Sequence, residues 1–421
     1  MQPKRVPRIL MLLENESLPE DTRVLLEATT LTEVGYDVTV VCPTGSRKSW
    51  REQIDGVRVY RYPAPWEISG FVGYVAEFAY SMFMAFIYAS FILLRHGFDV
   101  IHVHMPPDMN ALVGLCFRLV GKRMVIDHHD LSPEMYQAQQ GGQGSRLVER
   151  ALLGFERVAC RSAEQLIATN ESQRRIQIER CDADPQRCHV VRNGPNEQFL
   201  GEVKPLPQLA DDPRCLLGYI GMIGFQDGVD YLIESLVELK SRRTDFLAVV
   251  VGDGPALRGL KELVHERSLG DFVRFTGLVE FVDVPRYIAS FDICVTPDPS
   301  NAYNDSCTTI KTIEYMALGK PTVAFATREN RITAGEAALY AQNNDVAQFA
   351  DLIEKLMDDE ELRTSMGEIG RRRVEASLAW EHQRKKLVAF YNELFAEPTS
   401  RAKPASVRAP SEGDGSRATS A

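Results

Sequence analysis

Short apolar runs rich in Val, Ile and Leu, each followed by a helical stretch, recur along this chain, a pattern that closes as parallel sheets covered on both faces. One series has strands at 8–13, 37–42, 57–62, 100–103, 123–127, 165–168 and 189–191, with helices starting near Thr22, Val72, Met109, Ser145 and Asn170. A second has strands at 216–220, 248–252, 273–276, 293–296, 322–325 and 339–340. Residues 201–213 between them are rich in Pro, Asp and Glu and lack periodicity, which marks a linker. The chain reads as α/β, two doubly wound domains at 1–200 and 214–378. Its 421 residues exceed what one core supports, and 44% hydrophobic residues suffice to bury two. A helix follows at 379–396, and the Ser-, Pro-, Ala- and Arg-rich tail at 397–421 is expected to be disordered.

Residues 304–325, NDSCTTIKTIEYMALGKPTVAF, carry the densest chemistry. Ser306, Thr308 and Thr309 can cap a helix whose first amide N–H groups and dipole favour an anion. Lys311 and Glu314 stand three residues apart on one helix face, a cation suited to phosphate and a carboxylate suited to sugar hydroxyls. Gly319 and Pro321 end the helix, and residues 322–325 have the branching of an inner parallel strand.

At 314–321, EYMALGKP resembles the signature of family 4 glycosyltransferases, retaining enzymes of the GT-B fold with two Rossmann-like domains facing across a cleft. The family usually has two glutamates with seven residues between them; here the second is Glu314, and Ser306 stands at the first position beside Asp305. A bacterial subgroup form, Asn-Asp-x-Ser-Thr-x-x-Lys-x-x-Glu-Tyr-Met-Ala, matches except for Cys307 at the Ser position. The resemblance implies transfer of a sugar from a nucleotide-sugar donor to a glycan or lipid-linked acceptor, in surface polysaccharide biosynthesis, with no essential metal or other cofactor. The donor would lie in the second domain. Glu314 would accept hydrogen bonds from ribose hydroxyls, and Asp305, Ser306 or nearby main chain would orient the hexose. Lys311, with the amides of Thr308 and Thr309, would stabilise the diphosphate, which Gly224 would approach from the glycine-rich loop at 218–230. Family members often carry Arg and Lys at the positions of Met222 and Asp227, so Lys311 is the replacement cation here. On the acceptor side the resemblance implies Asp21, an N-cap, and Arg23, which either meets an anionic acceptor group or forms a surface salt bridge. His129 aligns with the family histidine near the reacting sugar, and the last helix would cross back to the first domain. Two other functions fit the same shell: a non-catalytic nucleotide-sugar-binding protein and a nucleotide-sugar epimerase.

A net charge of -10 argues against a nucleic-acid partner. The eight cysteines lack C-x-x-C spacing, which suits free thiols in a reducing cytoplasm. Leu13-Glu14-Asn15-Glu16 follows the first strand where a dinucleotide fingerprint needs glycines, which disfavours an NAD oxidoreductase. His102, His104, His128 and His129 have the residue types of a metal site, yet no i, i+4 helical pair exists, and no metal is expected. Residues 71–94 are aromatic and aliphatic. Glu77 and the strand that follows oppose a bilayer span, leaving a buried helix or one lying in a membrane interface, the latter placing the protein at the inner face of the plasma membrane.

Overall fold

The computed structural model describes residues 5–65, 71–342 and 344–396; the tail at 397–421 lies outside the described residues. The first series comprises β1 (Arg8–Leu12), α1 (Thr22–Glu33), β2 (Asp37–Pro43), β3 (Arg51–Ile54), β4 (Val57–Tyr62), α2 (Phe71–Arg95) and β5 (Val100–Met105). It continues with α3 (Ala111–Leu119), β6 (Arg123–His128), α4 (Ser132–Gln139), α5 (Arg146–Ser162), β7 (Gln165–Ala168), α6 (Glu171–Glu179) and β8 (Cys188–Val190). These strands form an eight-stranded sheet in the order β3-β4-β2-β1-β5-β6-β7-β8.

After a short α7 (Pro207–Ala210) come β9 (Cys215–Ile220), α8 (Val229–Lys240), β10 (Phe246–Val251), α9 (Leu257–Glu266), β11 (Val273–Gly277), α10 (Val284–Ser290) and β12 (Ile293–Thr296). Then follow α11 (Ile310–Ala317), β13 (Thr322–Phe325), α12 (Arg328–Ala334), β14 (Ala338–Ala341), α13 (Val346–Asp358), α14 (Glu360–Arg373) and α15 (Trp380–Ala396). The second sheet is six-stranded, β11-β10-β9-β12-β13-β14, and parallel throughout. The first is parallel except at β3, an edge strand antiparallel to β4. Its Arg-Glu-Gln-Ile sequence alternates exposed and half-buried positions, and charge on such an edge blocks further pairing.

Inner strands of both sheets are buried along nearly their whole length, as the apolar runs require. Helix α15 packs on the first sheet beside α1: Leu387 and Phe390 join a buried cluster with Ile9, Met11 and Val40, and Trp380 Nε1 donates to Thr30 Oγ1 at 3.0 Å. Helices α2, α3 and α5 cover the opposite face.

Strand order reverses between β1 and β5 in one sheet and between β9 and β12 in the other. At such points the loops leaving adjacent strands diverge and open a crevice at the carboxyl edge. Glycine makes the second crevice possible. Gly252, after β10, has φ 135°, and a Cβ there would lie 1.9 Å from the Gly221 carbonyl oxygen. Gly252→Ala is expected to cost about 3 kcal/mol through strain and displaced backbone, read as a lowered melting temperature.

Candidate active site

The loops after β9 and β12 converge on Lys311 in the first turn of α11. Its Nζ lies 3.1 Å from Asp298 Oδ1 and 3.4 Å from Asp227 Oδ1. Tyr219 contributes its hydroxyl at 3.2 Å and its ring face at 4.6 Å. Burial alone would lower the amine's pKa, but Asp298, Tyr219 and Asp227 raise it well above its usual value, so Lys311 is a cation. Burial pushes Asp298 up to about 6 against the pull of Lys311. The expected cation is therefore present, but held between two carboxylates and not standing free. Asp298, in the Pro-Asp-Pro that follows β12, is the residue sequence reasoning missed; its place at a strand's carboxyl end was the available signal.

Glu314, one turn along α11, is 7% exposed. It does not share Lys311's surroundings. Burial alone pushes its carboxyl up to about 7, and among the described residues it has no hydrogen-bond or ion-pair partner. Its oxygens are not sealed from solvent, so a ligand can reach a carboxyl that no described protein group satisfies.

Several expected donor groups are already engaged. The Ser306 hydroxyl donates to the carbonyls of Ala302 and Tyr303, within its own turn. Asp305 accepts from Ser300 Oγ at 3.0 Å, and the Gly224 N–H donates to Asp227 Oδ2 at 3.0 Å, not outward to a ligand. Thr309 is the N-cap residue of α11 but makes no side-chain capping bond; its hydroxyl meets Thr312 and Asn330. Thr308 Oγ1 donates to Glu329 and receives Asn170 and Arg192 from the first domain. The two domains are thus joined beside the start of α11. Asn170 Nδ2 also donates to the Ser306 carbonyl at 2.9 Å, and the Cys307 thiol donates to Asp130 at 3.3 Å. Cys307, the departure from the subgroup motif, therefore reaches the facing domain. Sequence assigns these hydroxyls to capping and the amides of Thr308 and Thr309 to the diphosphate; which hydroxyls a second domain claims is visible only in the fold.

Across the crevice, Asp21 caps α1, accepting from Val24 N–H at 2.8 Å. Arg23 is not offered to an acceptor, nor is it on the surface. Its Nε and Nη2 grip Asp127, Nη2 also lies 3.0 Å from Glu27, and Nη1 donates to Val191 O and Asn193 Oδ1. Every guanidinium donor direction ends on an internal acceptor. Burial opposes the charge of Asp127, yet Arg23, then His129 and His104, hold its carboxyl well below the usual range. His129 does reach the crevice. Its side chain is 13% exposed, with Nε2 3.3 Å from Asp127 and 3.0 Å from His104 Nδ1. Burial lowers His128 to about 4, and Gln177 meets its Nδ1 at 3.0 Å. Burial also pushes the carboxyls of Glu14 and Glu16, in the loop after β1, up to about 7.

Glu27, His102, His104 and Asp127 bring four ligand-type atoms within 4.8 Å of one another, the grouping that could hold a metal. The Arg23 guanidinium already supplies the positive charge there, 2.9 Å from Asp127. The set differs from the four histidines weighed from sequence, because His128 faces Gln177 and Asp108 on the other side of the sheet.

Residues 21–194 match the model of the glycosyl transferase 4-like domain, and residues 214–359 that of glycosyl transferases group 1. The chain is 25% identical over 364 residues to alpha-D-kanosaminyltransferase of Streptomyces kanamyceticus, covering 84% of this chain and 92% of that protein. In structure it resembles sucrose-phosphate synthase from Thermosynechococcus elongatus (TM-score 0.76, 21% identity, 93% of this chain and 99% of the other). It also resembles HepE of Anabaena in complex with UDP-glucose (TM-score 0.70, 16% identity, 92% and 99%).

Proposed function

The chain belongs to the group 1, family 4 glycosyltransferases of the GT-B fold, and from that premise we propose that it moves a hexose from a nucleotide-sugar donor to a glycan or lipid-linked acceptor with retention at the anomeric carbon. The observation that carries this reading is Glu314: a buried carboxyl, unpartnered among the described residues, one turn from a buried lysine at a sheet's switch point. A nucleoside diphosphate sugar offers both what they lack. Its ribose hydroxyls donate to Glu314, and its diphosphate competes with Asp227 and Asp298 for Lys311.

The bond from the anomeric carbon to the diphosphate oxygen breaks as the acceptor oxygen bonds the same face of the sugar. The acceptor's proton passes to the departing phosphate oxygen, so no enzyme nucleophile is required. Lys311 and the α11 amides stabilise the charge that develops on the leaving group, the role a divalent ion fills elsewhere, and no cofactor is invoked. His129, held by Asp127 and His104, faces the reacting sugar. We place the reaction in the cytoplasm, at the inner face of the plasma membrane, in the assembly of a surface polysaccharide; the eight free thiols suit that compartment.

The stereochemical test is the anomeric coupling constant of the product by NMR. An α-linked donor should give an α-linked product, and a β-linked product would overturn the mechanism.

Lys311→Met is expected to weaken donor binding at least tenfold and to destabilise the fold, since Asp298 would be left buried without its cation. Adding Asp298→Asn should restore the melting temperature and leave donor binding weak. Recovery of both together would show that Lys311 serves only the fold.

A further inference from the structure

Val100, His102 and His104 alternate along β5, so all three face α1 and α15. Val100 suits that layer and joins its apolar cluster with Leu387 and Tyr391. The two histidines are as deeply buried, yet burial opposes a charge on either ring, and each leaves Nε2 without a hydrogen-bond partner. A central strand built only for packing has no need of them.

They stand in a row that leads out of the core. The Tyr391 hydroxyl, on α15, meets His102 Nδ1 at 2.8 Å. The His102 and His104 rings stack at 4.3 Å, 28° from parallel, and His104 Nδ1 lies 3.0 Å from His129 Nε2. Tyr391, His102 and His104 are buried, and the row ends on His129, which opens onto the crevice. The hydroxyl has no other partner among the described residues, and burial keeps it protonated, so it donates and the neutral His102 carries its own proton on Nε2. That proton is turned toward Asp127, whose Oδ2 is 3.9 Å away. Helix α15 is pinned on both sides of Tyr391: Arg384 pairs with Glu33, and Tyr36 donates to Asn392 at 2.9 Å.

We propose that Tyr391 is a positioning residue for His129: its hydroxyl fixes the tilt of His102, and the ring stack and Asp127 pass that setting to the imidazole at the crevice. The proposal rests on the reading that His129 faces the reacting sugar, and it goes further by drawing the last helix into the apparatus. A phenylalanine would fill the same space, as Phe390 and Phe395 do beside it, but would leave His102 Nδ1 unpaired and its ring free to tilt.

Tyr391→Phe should lower kcat about tenfold while leaving donor KM, acceptor KM and melting temperature nearly unchanged. A loss spread over KM and melting temperature together would mean that the hydroxyl serves only the fold. Nuclear magnetic resonance of protein labelled with heavy nitrogen at its histidine rings gives a readout that needs no turnover. In wild type, His102 should show its proton on Nε2. In Tyr391→Phe its Nδ1 signal should move to that of an unbonded nitrogen, and the His129 signals, assigned by their loss in His129→Gln, should move with it. A wild-type His102 protonated on Nδ1 would overturn the proposal, as would His129 signals or a kcat that Tyr391→Phe leaves unchanged. A wild type that turns over no donor would instead end the transfer reading, and the ring spectra would still decide whether Tyr391 sets His129.

Discussion

Glu314→Gln is expected to cut sugar transfer by roughly a hundredfold or more while making the unliganded protein more stable above pH 7. Burial raises this carboxyl from its ordinary value to about 7, with no compensating partner among the described residues. A carboxyl whose folded pKa exceeds its unfolded one contributes stability that is complete below the unfolded value and lost as pH rises through the folded value. The window here runs from about pH 4.5 to 7. Over it the penalty grows to about 3 kcal/mol, the free energy of the shift, which a neutral glutamine avoids. Function runs the other way. The carboxylate is the stronger acceptor for ribose hydroxyls, and each such charged hydrogen bond contributes about 1.5–3 kcal/mol, so losing two should reduce kcat/KM by roughly a hundredfold or more. Wild-type donor affinity should therefore rise between pH 6 and pH 8, and the variant's should stay flat. Thermal melts and turnover on the same preparations decide it. A variant less stable than wild type at pH 8, yet fully active, would mean that Glu314 serves the fold.

Arg23→Met should lose about 3–5 kcal/mol of stability, because the buried Asp127 carboxylate would remain without its cation. That is a large share of what a folded domain has to spare. Arg23→Lys should fall between the two, since an ammonium has three donors and cannot reproduce the grip on Asp127, Val191 and Asn193 together. Denaturant unfolding measures both. Normal stability with only a raised KM for the acceptor would restore Arg23 to an acceptor-binding role.

That reassignment shows where sequence stops being legible. The two alternating series announced two parallel sheets, because buried parallel strands need unbroken apolar runs. Strand β3 escaped because Arg51-Glu52-Gln53-Ile54 carries the polarity of a loop, and only its pairing with β4 makes it a strand. Arg23 sits in a first helical turn, where an exposed position is the ordinary expectation, and its partner Asp127 is 104 residues away. The stretch around Lys311 and Glu314 named its helix and its chemistry, yet not the division of labour: Asp298 and Asp227 draw the lysine aside and leave the glutamate alone.

The central claim is that Glu314 holds the donor in the crevice of the second sheet. The direct measurement is calorimetric titration of wild type and Glu314→Gln with UDP-, GDP-, dTDP- and ADP-sugars at pH 8. The account predicts that one donor class binds the wild type and binds the variant at least tenfold more weakly. Equal affinity of both proteins for that donor would contradict it.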